Sequence, residues 1–263
     1  MKRYLLICLL ISLAVFAFGG KKALLIGNYN YPEGALPRVA SDLALMDSTF
    51  TGIGFEVHKH QNLARDSLNQ AVENFAKTVA TGDTVAIYYS GHGFAASGNH
   101  YLVPVNLSVK AQAQWLTGSP DLNWIAGKLS KANAILAFLD TYRVGITLDA
   151  KTLPAPAKAN PKLYILTSGD ANLNSTGVRS LPVSPFTQAL HNQLKVEGQT
   201  LGQIRANLYA NLGELISKSL TVYTLGSAVS EEMILFSPIT AEQKRWFFKS
   251  LELDMEGGGS YNF

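Results

Sequence analysis

Cysteine is almost missing from this chain: the only one stands at position 8. That count excludes a disulfide framework, and it leaves no thiol to act as a nucleophile anywhere beyond the first twenty residues. An oxidising compartment is compatible with such a chain, and Cys8 lies too near the start to mark a lipid-modified cleavage site. An excess of charge is missing as well. The formal net charge is +3, and Lys2 and Arg3 are the only charges among the first 20 residues, so removing them leaves +1. A near-neutral chain gives no electrostatic case for nucleic acid. A long apolar run is also absent, since the stretch from Tyr4 to Phe18 falls short of the roughly 20 residues that a spanning helix needs. Preceded by Met1-Lys-Arg and followed by Gly19-Gly20, this stretch reads as a secretory signal peptide over residues 1–20, cleaved near Ala17 or Gly19. The rival reading is an uncleaved N-terminal membrane anchor. Export to the periplasm or beyond is the expectation, with no integral span left after cleavage. No internal repeat and no low-complexity tract stands out.

At 263 residues the chain suits one sizeable domain with a complete core, expected over residues 21–240, followed by a C-terminal helix and flexible tail over 241–263. Lys22 to Gly27 reads as a buried strand and Asn28 to Pro37 as a turn-rich loop. Val39, Leu43, Met46 and Phe50 recur at helical spacing, and that helix ends at Gly52. A strand follows from Phe55 to His60. Ser67-Leu-Asn-Gln70 has the form of a capping box opening the next helix, whose Leu68, Ala71, Val72, Phe75 and Val79 share a face. Asp121 to Leu129 predicts a short helix, Leu163 to Thr167 a strand, and Ser184-Pro185 an N-cap and first turn with Phe186, Leu190 and Leu194 on the buried side. Val144 to Pro161 reads as a long exposed loop. Leu201 to Leu220 reads as helical, Met233 to Phe236 as a late strand completing the sheet, and Ala241 to Leu253 as a terminal helix. Strands alternating with helices of this length predict an α/β fold: a mostly parallel sheet of about six strands, with helices on both faces.

Two stretches carry the chemistry. Asp83 to Gly93 contains a run from Val85 to Tyr89 that reads as a strand buried on both faces and ending at Ser90-Gly-His-Gly93. This places His92 where ligands bind in an open α/β sheet, beyond the carboxyl end of a strand, with glycines on either side to let the chain turn. Asn133 to Arg143 is a second such strand, ending in Asp140-Thr-Tyr-Arg143. Strand-Ser-Gly-His-Gly followed by strand-Asp-x-x-Arg resembles the caspase-like cysteine peptidases (peptidase C14), which include metacaspases, paracaspases and bacterial orthocaspases. His92 and Tyr142 are 50 residues apart, close to the spacing of about 50 between histidine and cysteine in caspases. Leu24 to Gly27, Gly54 to Val57, Tyr101 to Val105 and Ser184-Pro-Phe-Thr187 resemble further segments of that family, and the resemblance runs from about Lys22 to Leu194.

The resemblance implies a three-layer caspase-like sandwich in which His92 is the retained histidine of the catalytic dyad and Tyr142 occupies the nucleophile's position. Hydrolysis in this family requires a thiolate to attack the carbonyl, and a phenol, with its ordinary pKa near 10 against about 8.5 for a thiol, is a poor replacement. Thr141, the nearest hydroxyl, is expected to point away from residue 142. In the metacaspase and orthocaspase branch an acidic pocket accepts an Arg or Lys side chain, and the resemblance places its members at Asp42, Ser90 and Asp140. The competing reading has Asp42 facing solvent on its helix and Asp140 tying down the loop after its strand.

Weaker signals carry less. Gly91-His-Gly-Phe-Ala-Ala96 fits G-x-G-x-x-A in form, but no helix opens after it and the strand is not the first, so it does not argue for a dinucleotide. His58 and His60 share a strand face without further ligands, so no metal and no cofactor is expected. Trp246-Phe247-Phe248 reads as a core-packing cluster or a docking patch. The expected partner is a protein or peptide, presenting an Arg or Lys side chain. The first function is thus a pseudopeptidase. The alternatives are an active endopeptidase with an unorthodox nucleophile and an envelope interaction module docking through its C-terminal helix.

Overall fold

The computed structural model describes residues 19–108, 114–143, 160–168, 181–215 and 229–237, with Tyr142 and Arg143 described by their backbone. Among these described residues fourteen elements follow in chain order. They are β1 (Lys21–Gly27), β2 (Asn30–Tyr31), β3 (Gly34–Ala35), α1 (Val39–Gly52), β4 (Glu56–Gln61), α2 (Arg65–Thr78), β5 (Thr84–Ala96), β6 (Asn99–Leu102), α3 (Trp115–Gly118), α4 (Leu122–Lys128), β7 (Ala134–Arg143), β8 (Leu163–Thr167), α5 (Pro185–Leu194) and α6 (Leu201–Leu215). The expected α/β architecture is present. Six strands form one sheet: five run parallel in the order β4-β1-β5-β7-β8, and β6 pairs antiparallel with the end of β5. The period-2 alternation of these apolar strands sends Leu25, Tyr88 and Phe138 towards Met46 and Phe50 of α1 and Leu190 of α5. The intervening residues Ile26, Ile87 and Leu139 pack against Val72 and Phe75 of α2 and Ile125 of α4. Both faces are covered, which explains why the central strands are apolar throughout.

The largest departure from the sequence reading concerns β5. The strand does not end at Ser90 but continues through His92 to Ala96, because the backbone keeps finding partners. Ser90 to Gly93 pair in register with Asp140 to Arg143 of β7, and Gly93 to Ala96 pair with β6. The glycines flanking His92 therefore serve close approach rather than a sharp turn. A Cβ at position 91 would lie 2.8 Å from the Asn28 carbonyl oxygen, and one at position 93 would lie 2.7 Å from Thr141 Cγ2. Gly93→Ala is expected to cost about 1–3 kcal/mol, the usual penalty of overpacking. Adding Thr141→Ser, which removes the obstructing methyl, should recover part of that loss in urea unfolding.

Other differences are local. The segment read as a loop after β1 contains the small β2–β3 hairpin. The capping box at Ser67 is not formed: α2 begins two residues earlier, at Arg65, with no side-chain cap. A remote acceptor takes its place, since Asn106 Oδ1 accepts from the Arg65 N–H at 3.0 Å. Met233 to Phe236 adds no strand to the sheet. Ile234 makes a single antiparallel bridge with Thr200, and the Glu231, Met233 and Phe236 carbonyls accept from Gly202, Leu201 and Gly198, so this segment closes the first turn of α6. The loop expected over 144–161 falls outside the described residues except for its last two positions. The continuation of α6 to Leu220, the signal peptide as far as residue 18 and the terminal helix with Trp246 lie outside them too.

Candidate functional site

Parallel pairing of β5 with β7 decides what meets at the carboxyl end of the sheet. Ser90 is the register partner of Asp140, and His92 is the register partner of Tyr142. At about 3.3 Å per residue the two pairs lie roughly 6–7 Å apart along the strands. The sequence spacing of 50 residues is thus converted into lateral adjacency of the histidine and the tyrosine at the level of the backbone.

His92 is gripped by its main chain. Its N–H donates to the Tyr31 hydroxyl at 3.0 Å, and the Tyr31 hydroxyl donates onward to the Val103 carbonyl at 3.0 Å. Its carbonyl accepts from the Tyr89 hydroxyl at 2.6 Å and from the Val103 N–H at 3.0 Å. The imidazole, partly exposed, lies 4.4 Å between centroids from the Tyr31 ring and 6.4 Å from Trp115. Both aromatics belong to a small apolar cluster with Phe94, Tyr101 and Val103 at the end of the sheet. Burial pushes the Tyr31 and Tyr89 phenols upwards, so both remain neutral hydrogen-bonding groups.

Asp42, Ser90 and Asp140 do come together, on the face covered by α1 and α5. Ser90 Oγ donates to Asp42 Oδ2 at 3.2 Å. Asp42 is fully buried, which corrects the reading that it faces solvent. Asp140 is buried as well, and it anchors the start of α5: the Ser184 hydroxyl donates to Asp140 Oδ2, and the Thr187 hydroxyl donates to the same oxygen at 2.8 Å. Ser184 also gives its backbone N–H to Asp42 Oδ1 at 2.7 Å. One residue therefore links both carboxylates while its Oγ accepts from the Thr187 N–H at 3.1 Å as the α5 N-cap. Behind it, the buried Tyr88 hydroxyl lies 2.6 Å from Thr187 Oγ1. Thr187 spends its own proton on Asp140, so Tyr88 is the donor of that bond.

Burial, and then the neighbouring Asp140 charge, push the Asp42 carboxyl up to about 7. Burial also raises Asp140, against the lowering effect of its hydroxyl donors Ser184, Thr187 and Ser168. Asp42 accepts fewer of these bonds, which makes it the better home for a proton shared by the pair. A folded-state pKa above the unfolded one means that the fold favours the protonated form. The domain then loses stability as pH rises from about 4 to 7, and the loss levels off above the folded value. Asp42→Asn keeps an acceptor for the Ser184 N–H and offers Ser90 a donor, without the charge. Its stability relative to wild type should climb across that pH window in urea unfolding; a constant difference would contradict the assignment.

Sequence reasoning singled out Asp42, Ser90, His92, Asp140 and Tyr142 but missed Ser184, Thr187, Tyr88, Tyr31 and Trp115. Ser184-Pro-Phe-Thr187 was visible as an N-cap, and its hydroxyls were the available signal. Nothing in the loop sequence marked Tyr31. His58 Nε2 donates to Glu56 Oε1 at 3.0 Å, and the ring packs edge-on against Phe75. Among the described residues no group of three or more His, Cys, Asp or Glu side chains is placed to hold a metal ion.

Comparison with known proteins agrees with this geometry. The profile of the caspase domain (Peptidase_C14) matches residues 20–219. The human mucosa-associated lymphoid tissue lymphoma translocation protein 1 is 33% identical over 87 residues, a stretch covering 33% of this chain and 11% of that protein. The matched region thus spans about a tenth of that relative's length.

Proposed function

This chain belongs to the caspase-domain peptidase family, and from that premise we propose that it is an exported pseudopeptidase, one that binds a peptide segment without cutting it. Tyr142 at the register position opposite His92 carries the reading, together with the absence of any cysteine beyond Cys8. Amide hydrolysis needs a nucleophile that is substantially ionised or activated by a base, and a phenol with an ordinary pKa near 10 is neither at neutral pH. His92 keeps the means to move a proton but has no thiol to work with.

The ligand is a protein or peptide presenting an Arg or Lys side chain to Asp42, Ser90 and Asp140. Two buried carboxylates within one hydrogen-bonded cluster support this, because a cation there would offset the charge that burial makes costly. A guanidinium suits two acids best, since its fork donates to both at once. Binding requires Asp42 to give up its proton, so affinity should strengthen as pH rises through about 7.

Calorimetric titration with an acetylated short peptide ending in arginine amide tests this, with the norleucine peptide as control. The arginine peptide should bind, should release protons, and should weaken by up to about tenfold per pH unit below 7. Equal binding of both peptides, or an affinity indifferent to pH between 6 and 8, would remove the acidic pocket from the proposal.

A further inference from the structure

The opposite end of the sheet holds a second buried acid. Gly20 lies just ahead of β1, and its N–H donates to Asp83 Oδ1 at 2.7 Å, while Asp83 Oδ2 accepts from the Ala80 N–H at 2.9 Å. Asp83 is only 3% exposed, so the carboxylate is enclosed between two amide donors. The surrounding backbone is tied into the strands: the Gly20 carbonyl accepts from Thr84, and the Asp83 carbonyl accepts from Asn133 just before β7. Residue 19 has no room for a side chain, because a Cβ there would fall 1.9 Å from the Gly82 carbonyl oxygen.

Among the described residues no cationic side chain pairs with Asp83. Lys21 sends its ammonium to the Ile53 and Leu235 carbonyls, and Lys131 meets the turn through its backbone carbonyl, which accepts from Gly82. A buried carboxylate is held more strongly by a charged donor than by an amide. One cleavage would supply that donor. Ala17-Phe18-Gly19 puts small residues at the third and first positions before the bond to Gly20, the pattern of a leader cleavage site. The caspase-domain match begins at residue 20.

We propose that the Gly19–Gly20 bond is the maturation site, and that the α-ammonium released on Gly20 is received by the preformed Asp83 carboxylate as an ion pair. Hydrolysis consumes one water, leaves a carboxylate on Gly19 of the departing leader and an amine on Gly20, and that amine takes up a proton near neutral pH, its ordinary pKa being about 7.7–8.0. The pair forms at the amino ends of β1 and β5, beside the start of β7. The acids of the candidate site and His92 stand at the carboxyl ends, so maturation fastens the base of the sheet without reaching the site.

The full chain, expressed with its own leader and recovered after export, should begin at Gly20 by intact mass and terminal sequencing. A start at Phe18, or retention of Met1, overturns the proposal. The ion pair is read separately by comparing protein beginning at Gly20 with the same protein acetylated on the Gly20 nitrogen, which keeps the N–H and loses the charge. Acetylation should lower Tm at pH 7 by about 2–4 °C and should have no effect in Asp83→Asn. Equal Tm values in the wild-type background overturn the pairing. If Asp83→Asn fails to fold, the Gly20 amine titrated by nitrogen NMR decides: a pKa above the ordinary range supports the pair, and an ordinary value rejects it.

Discussion

Tyr142→Cys is expected to turn the protein into a peptidase that cuts after arginine or lysine. The substitution puts a thiol, with an ordinary pKa near 8.5, at the register position beside His92. His92 is already held through both its N–H and its carbonyl, by Tyr31, Tyr89 and Val103. The substrate's basic side chain would be received by Asp140, two residues back along β7, and by Asp42 of α1. A placed general acid–base group alone contributes about 10²–10⁴-fold, and a gain of that order over wild type on fluorogenic Arg and Lys peptides is the expected size. The gain should vanish in the double variant with His92→Ala. A folded Tyr142→Cys protein that stays silent on both peptides would show that the geometry of the dyad or the pocket has been lost along with the thiol.

The second large effect concerns stability and centres on Ser184. Ser184→Ala removes the N-cap of α5, worth about 1 kcal/mol, and a hydroxyl bond to a buried carboxylate, worth about 1.5–3 kcal/mol. Together these predict a loss of about 2.5–4 kcal/mol in urea unfolding. Ser184→Gly separates the two contributions, because glycine replaces a serine cap at a cost of only a few tenths of a kcal/mol. Most of the loss should therefore persist in the glycine variant. Ser184→Thr, which keeps the hydroxyl, should lose the least. A glycine variant close to wild type would mean that Ser184 is a helix cap and nothing more to Asp140.

Much of the fold was legible because its strands are apolar without interruption and its helices carry regular stripes. The residues of β1, β7, β8, α1 and α5 could be read almost to their ends. What escaped the sequence depends on partners remote along the chain. Among the described residues, Ser67-x-x-Gln70 and Thr200-x-x-Gln203 share the form of a capping box. Only the second acts as one, with reciprocal bonds between Thr200 and Gln203, because Asn106 reaches across to the first turn of α2 and lets that helix start earlier. Gly91 and Gly93 signalled a break in β5, yet their purpose is set by Asn28, Thr141 and Tyr101, which local sequence does not place beside them.

The candidate site divides in the same way. His92 and Tyr142 were found through motif spacing, which the register of β5 and β7 turns into neighbourhood, while Asp42, Ser90 and Asp140 were implied by the family resemblance. Ser184 was seen as a local cap, and Thr187 only as part of a segment resembling the family. Their link to two acids from elsewhere in the chain comes from packing α5 against the sheet, a tertiary fact with no local signature.

The most direct test of the central claim is the hydrolysis of Arg- and Lys-terminated fluorogenic peptides by the wild-type protein, measured beside His92→Ala. A pseudopeptidase should give no turnover above the uncatalysed rate in either form. Turnover by wild type that disappears in His92→Ala would establish a working nucleophile other than a thiol and contradict the assignment.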